Sequence, residues 1–264
     1  MTNHPKFLLI SSDTPNAYKL KAEIEQECNL SQIALATNED DQGIIGIIVI
    51  GGDGFMLKSL HNLHNLKVPF IGINAGQIGF LMNSSFDISL LSNINELPRV
   101  RLNALEVRAI NQQNQEWTNY AFNEISIYRS TNQAAKLSIE VNSYMQMEEL
   151  ISDGLIVSTP AGSSAYNLSA GGRIIPIDSN LICITPVCPF RPRRWHGAII
   201  PESCLIKVKS LESKKRPVNV VADFNETRDI LSIEIRQNSS ISAELVFASD
   251  GEMDEKMIRE QFII

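Results

Sequence analysis

The stretch IIGIIVIGGDGFMLKSL, residues 44–60, decides the fold. Mostly branched apolar residues from Ile44 to Ile50 run into Gly51-Gly52-Asp53-Gly54, an acid fenced by glycines. Asp-Gly is the strongest short signal for a hairpin between two strands, yet the residues that follow argue against one. Met56, Leu57, Leu60 and Leu63 recur at helical spacing, so the turn joins a buried strand to a helix. At such a junction the first helical N–H groups lack partners and the helix dipole is positive, while glycine lets a phosphate come close to the backbone. Two roles fit Asp53 from this stretch alone: a cap for its own helix, or the carboxylate of a phosphate site.

Outward from there, the composition limits the choice. A chain of 264 residues, 44% hydrophobic and 20% charged, has the make-up of a globular protein with one large or two ordinary domains. With 23 Lys and Arg against 30 Asp and Glu, the net charge of −7 argues against nonspecific binding to nucleic acid or to an anionic membrane. No apolar run is long enough to span a bilayer, and the start MTNHPKFLLISSD lacks a basic lead or a credible cleavage site. The expectation is a cytoplasmic protein whose partners are small molecules or protein. Cys28, Cys183, Cys188 and Cys204 form no CxxC pair or Cys/His cluster, so reduced, mostly buried thiols are expected and no metal site is implied.

Short apolar strands (7–11, 44–50, 68–73) alternate with helical stretches, 17–28 being the clearest, up to about residue 98. That pattern predicts an α/β domain with a parallel sheet over 1–98. After the connector 93–99 come strand-like runs at 104–110, 116–128, 136–141, 155–158, 218–222, 230–235 and 241–247. Many alternate as half-buried antiparallel strands do, which predicts a β-rich, sandwich-like domain over 99–249. The tail 250–264 carries a helical pattern from Asp254 and is expected to return to the first domain.

A second glycine turn, INAGQIGFL, follows the strand at 68–73. Ligands of open parallel sheets gather at the carboxyl ends of strands, so two neighbouring turns would face one ligand. A third stretch, ISDGLIVSTPAGSSAYNLSAGG at 151–172, presents hydroxyls and amides suited to sugar or phosphate oxygens. Tyr166 stands where a nucleophile elbow, GxSxG, needs its last glycine, which argues against a serine hydrolase. Neither a Walker A loop nor GxGxxG is present.

Taken together, GGDG at 51–54, NAGQIGFL at 74–81, Asn123-Glu124 in FNEISI and DGLIVSTPAGSSAYNLSAGG at 153–172 resemble the NAD kinases, in that family's order. GGDG alone is shared with lipid kinases and phosphofructokinases, but in the lipid kinases the Asn-Glu pair follows within the same helix, whereas here it lies far downstream. PVCPFRPRRW at 186–195 resembles the alphaproteobacterial branch. Many other members carry Thr at the place of Phe55 and His at the place of Phe224.

The resemblance implies transfer of the γ-phosphoryl group of ATP, with Mg²⁺ or another divalent cation, to the 2′-hydroxyl of the adenosine ribose of NAD. It implies that Gly51, Gly52 and Gly54 cradle the donor's phosphates and that Asp53 orients the hydroxyl and accepts its proton. Asn123 and Glu124 would hold the ribose diol; Gly54, Phe80, Ser164, Ala165, Tyr166 and Ser169 would complete the NAD site. Asp153 would meet the nicotinamide carboxamide, with Asp223 a candidate at the same end. A homodimer or homotetramer is implied, with NAD bound in a cleft between the domains. Arg191, Arg193 and Arg194 read first as a solvated charge run, the alternative being a contact for phosphates or a neighbouring subunit. Two competing readings are a related kinase with a lipid or sugar acceptor and a catalytically silent nucleotide-binding regulator.

Overall fold

Runs of Ile and Val without alternation need a sheet buried on both faces, and the first part of the chain builds one. The computed structural model describes residues 6–76, 79–249 and 251–262. The chain divides into two units, Met1–Leu102 with Ser242–Ile264, and Asn103–Ile241.

The first unit contains β1 (Lys6–Ser11), α1 (Pro15–Leu30), β2 (Ala34–Ala36), β3 (Ile44–Gly51), α2 (Asp53–Leu63), β4 (Phe70–Asn74) and the short α3 (Ser89–Ser92). Its strands run β2-β1-β3-β4, and these pairings are parallel. Thr14 starts α1 by accepting from the Ala17 amide at 3.3 Å, with Pro15 in the first helical place, where its missing N–H costs nothing. Ile48, Ile50, Ile71 and Ile73 pack with Phe7, Ile24 and Leu91 in this unit's core.

The chain then passes through β5 (Arg99–Asn111) to β6 (Glu116–Ala121), β7 (Glu124–Arg129), β8 (Ala135–Val141), β9 (Tyr144–Ser152), β10 (Gly154–Ser158) and α4 (Tyr166–Ser169). There follow β11 (Leu181–Val187), β12 (Ala198–Pro201), β13 (Ile206–Ser210), β14 (Val218–Ala222), β15 (Asn225–Thr227), β16 (Ile230–Val246) and α5 (Glu252–Glu260). One sheet of the second unit runs β16-β13-β8-β9, with β5 on β16 and β6 on β5; the other runs β12-β11-β10-β7-β14-β15. Leu105, Leu137, Ile139 and Ile233 of the first sheet share a core with Ile125, Ile127, Val157 and Val220 of the second. This is the β-rich, sandwich-like part. The last residues of β16 rejoin the first unit, where Leu245 pairs in parallel with Phe70, and α5 belongs there too.

Several expectations need correction. The run 116–128 is two strands in different sheets, because the chain leaves the ladder at Phe122-Asn123 and the Asp223 carboxylate takes its amides. The runs 230–235 and 241–247 are one strand. In the polar stretch between them, Glu106 on β5 takes Arg236 at 2.9 Å and Asn238 at 2.7 Å. Strand β9 was not expected, since most of its residues are exposed and show no alternation. Cys28, Cys183 and Cys204 are buried free thiols and Cys188 is exposed. Among the described residues no helix is long and apolar enough to cross a membrane.

Candidate functional site

The parallel register puts Gly51 beside Asn74, so the turns after β3 and β4 are neighbours. The Ala75 amide donates to the Gly51 carbonyl at 2.8 Å. Asp53 is the first residue of α2, with Gly52 before it, and no side-chain bond caps that helix. Its carboxylate instead accepts from the Phe80 amide at 2.9 Å and the Leu81 amide at 2.9 Å. The helix-cap reading is therefore replaced: Asp53 ties one glycine turn to the other. Charge-assisted bonds of this kind contribute about 1.5–3 kcal/mol each, so the acid is held in place before any ligand arrives. Burial pushes its carboxyl above the ordinary range, while the two amides and Lys256 pull the other way.

The glycines around it serve space. Gly52 has φ −116°, which any residue adopts, and none of Gly51, Gly52 or Gly54 has a left-handed φ. A Cβ on Gly51 would press on Phe55 at 2.9 Å, whereas nothing lies within 4 Å of one on Gly52 or Gly54. The start of this eleven-residue helix thus has open space over two glycines, room that the backbone N–H groups of a helix start can offer to an anion.

In the second unit, β7 lies between β10 and β14, with Glu124 opposite Ser158. Asn123-Glu124, the segment after β10 and the turn after β14 therefore meet at one end of this sheet. Asp223, at φ 54°, accepts from the amides of Phe122 at 2.7 Å, Asn123 at 3.0 Å and Glu124 at 3.2 Å. Thr159 binds the other side of the turn, its hydroxyl donating to the Phe122 carbonyl at 2.6 Å and its amide to that of Asn123 at 2.9 Å. A Cβ on Gly162 would collide with the Asn123 carbonyl, so only glycine lets this segment settle there.

So braced, the turn leaves Asn123 Oδ1 and Glu124 Oε2 buried without a hydrogen-bond partner. Such atoms cost about 1–3 kcal/mol each, which a ligand with hydroxyl groups would recover. Burial, and then the Asp223 charge, push the Glu124 carboxyl up to about 8. It is thus mostly protonated at neutral pH and can donate as well as accept.

Ser164 and Ala165 are half-buried beside this turn, and Tyr166 and Ser169 are exposed on α4. Phe80 is half-buried in the first unit. Asp153 is not brought to this end. It precedes β10, where its carboxylate pairs with Arg129 Nε at 2.5 Å, and the length of β10 with the step to Thr159 separates it from Asn123 by about 20 Å. Asp223, expected beside Asp153, stands at the Asn123 end. Gln77 and Ile78 of the second glycine turn lie outside the described residues.

Three residues went unread in the sequence. Asn83 is fully buried and donates to the Gly72 and Val246 carbonyls, both at 2.9 Å, while accepting from the Ala248 amide at 2.8 Å. Asn167 donates to the Ser163 and Arg173 carbonyls and accepts from the Thr185 hydroxyl at 2.6 Å. Lys256 of α5 donates to the Met82 carbonyl, and its charge lowers the pKa of Asp53. No local pattern marks any of them, because every partner outside the immediate turn is remote in sequence.

The ATP-NAD kinase N-terminal domain model matches residues 9–93 and the C-terminal domain model residues 122–236. An NAD kinase of Rickettsia felis is 49% identical over 216 residues, covering 82% of this chain and 85% of that protein. An NAD kinase of Rickettsia bellii is 44% identical over 252 residues, covering 89% and 99%. Among solved structures, yeast NADH kinase complexed with NADH has a TM-score of 0.79 at 19% identity, covering 99% of this chain and 87% of that one. An NAD kinase from Archaeoglobus fulgidus in complex with ATP has a TM-score of 0.79 at 21% identity, covering 98% and 100%; both structures attest the fold. Both family models match in order over most of the length, the motifs lie inside them, and bacterial NAD kinases approach half identity: the chain belongs to the NAD kinase family.

Proposed function

We propose that the protein transfers the γ-phosphoryl group of ATP to the 2′-hydroxyl of the adenosine ribose of NAD, forming NADP. Family membership supports the reaction, and the observation that carries the site is the pair of buried, unpartnered oxygens on Asn123 and Glu124. A ribose diol offers two hydroxyls to them. On this reading Asn123 accepts one hydroxyl, and Glu124, protonated at neutral pH, donates to or accepts from the other. Ser164, Ala165, Tyr166 and Ser169 flank the adenosine, and Asp223 keeps the turn in shape.

Phosphoryl transfer asks mainly for position and neutralised charge. The start of α2 would seat the donor's phosphates, in the space over Gly52 and Gly54. Asp53 would orient the acceptor hydroxyl and take its proton as the new P–O bond forms and the bond to ADP breaks. Mg²⁺ bound to ATP would offset phosphate charge. Among the described residues no group of three or more His, Cys, Asp or Glu side chains could cage an ion, so the fit is to a cation brought by the nucleotide, with Asp53 the nearby carboxylate.

Asp153, a β10 length from Asn123, is assigned on this reading to the nicotinamide end of a neighbour's site. That requires a homodimer or homotetramer, and exposed Tyr144 and Met145 on β9, a sheet-edge strand, support one. Arg191 and Arg193 lie over the Phe190 ring, and we take them, with Arg194, as surface near such a contact. We take the enzyme to be cytoplasmic, without nucleic-acid or membrane partners. The test is incubation of the purified protein with NAD, ATP and Mg²⁺, followed by an NADP-specific assay. Formation of NADP supports the reading, and its absence with ATP, GTP and polyphosphate alike overturns it.

A further inference from the structure

The strip Phe80–Ser84 follows the second glycine turn, and three layers of contact bear on it. Its first amides, on Phe80 and Leu81, hold the two oxygens of Asp53. Asn83 locks the middle to β4 and to the end of β16. The remaining contacts come from α5. Lys256 Nζ donates to the Met82 carbonyl at 2.6 Å and to Glu252 Oε1 at 3.0 Å. The same Glu252 oxygen accepts from the Ser84 amide and hydroxyl, each at 3.1 Å. Burial works against the Glu252 charge, but Lys256 and Ser84 outweigh it and hold that carboxyl below the ordinary range.

We propose that Lys256 is a positioning residue for phosphoryl transfer: with Glu252 it latches the Phe80–Ser84 strip whose amides set the Asp53 carboxylate. Neither residue belongs to a motif of the active-site turns, and the inference rests on the role given to Asp53 above. The geometry gives Lys256 two effects. Its bond to Met82 fixes the residue next to Leu81, and so the aim of the Leu81 amide. Its ammonium is also the charged side chain acting on Asp53, opposing the burial that disfavours the ionised acid. Glu252, bonded to both that ammonium and Ser84, ties Lys256 to the strip. Removing the ammonium raises the Asp53 pKa, so a reaction needing ionised Asp53 loses rate at a higher pH than in the wild type.

The test compares Lys256→Met, Lys256→Arg and Glu252→Gln with the wild type in steady-state assays across pH, beside Asp53→Asn. Lys256→Met is expected to lower kcat about tenfold, to change KM for NAD less than about threefold, and to move the acid limb of kcat/KM upward. Lys256→Arg is expected to restore most of both, and Glu252→Gln, which keeps the ammonium, to show a smaller loss of kcat without the upward move of the acid limb. If Lys256→Met folds poorly, the Arg and Gln variants carry the comparison. A wild-type pH profile and kcat in Lys256→Met, or a lower kcat with an unmoved acid limb, overturns the proposal while leaving the kinase reading intact. Near-native turnover in Asp53→Asn would overturn the role of the acid itself and the latch with it.

Discussion

The two acidic centres are prepared in opposite ways. In the first unit Asp53 has partners for both oxygens and a cation in range, so its direction is set in the free protein. In the second, the backbone around Asn123-Glu124 is braced by Asp223 and Thr159, yet one side-chain oxygen of each residue is buried with no partner. The difference matches the two tasks proposed above. A group that takes a proton in the transition state gains from being fixed beforehand, whereas a group that recognises substrate gains affinity when ligand hydroxyls end an existing cost.

The comparison breaks most sharply at Asp53. Asp53→Asn is expected to cut kcat about a hundredfold or more while NAD affinity, measured by calorimetry, stays within about threefold. Near-native turnover would leave Asp53 as a structural tie between two turns.

Gly52→Val tests the space over the helix start. Because Gly52 has an ordinary φ and its Cβ would meet nothing within 4 Å, thermal unfolding should be unchanged while turnover with ATP falls by at least about a hundredfold. Intact turnover would move the donor's phosphates elsewhere.

For the second centre, Asn123→Ala is expected to weaken NAD binding by about 1–3 kcal/mol, with little change in ATP affinity. Equal losses for both nucleotides would contradict a role at the diol.

A last test sharpens the contrast through pH. Glu124 has a folded-state pKa of about 8 against an ordinary 4.5. The favourable contribution of the proton is fully present below 4.5 and is lost as pH rises through about 8. Wild-type stability should therefore decline relative to Glu124→Gln across that window, by at most about 1.4 kcal/mol per pH unit. Parallel unfolding midpoints for the two proteins from pH 5 to pH 8 would show that Glu124 ionises freely.

Much of the architecture was legible because it is written in neighbouring residues. The unalternating run at 44–50 declared a strand buried on both faces, and the helical spacing from Met56 excluded a hairpin after GGDG. The joined strands at 230–246 and the break at Phe122 were not legible. Whether a polar stretch turns or continues depends on what lies across the ladder, and Glu106 and Asp223 are far away in sequence. At the site, Asp53, Asn123 and Glu124 could be named from motifs, but Asp53 read equally as a helix cap until its partners were seen.

What the sequence by itself determined is therefore local: the glycine turns after two parallel strands, the helix that starts at Asp53, and the hydroxyl-rich segment after β10. These follow from backbone sterics and side-chain period over a few residues. Only the tertiary structure decided how the acids are set. Asp53 meets the Phe80 amide across 27 residues, Asp223 meets the Asn123 amide across 100, and Asn83 meets Val246 across 163. A hydrogen bond or a desolvated carboxyl depends on which groups the folded chain brings within about 3 Å, and that proximity is a property of the packed fold.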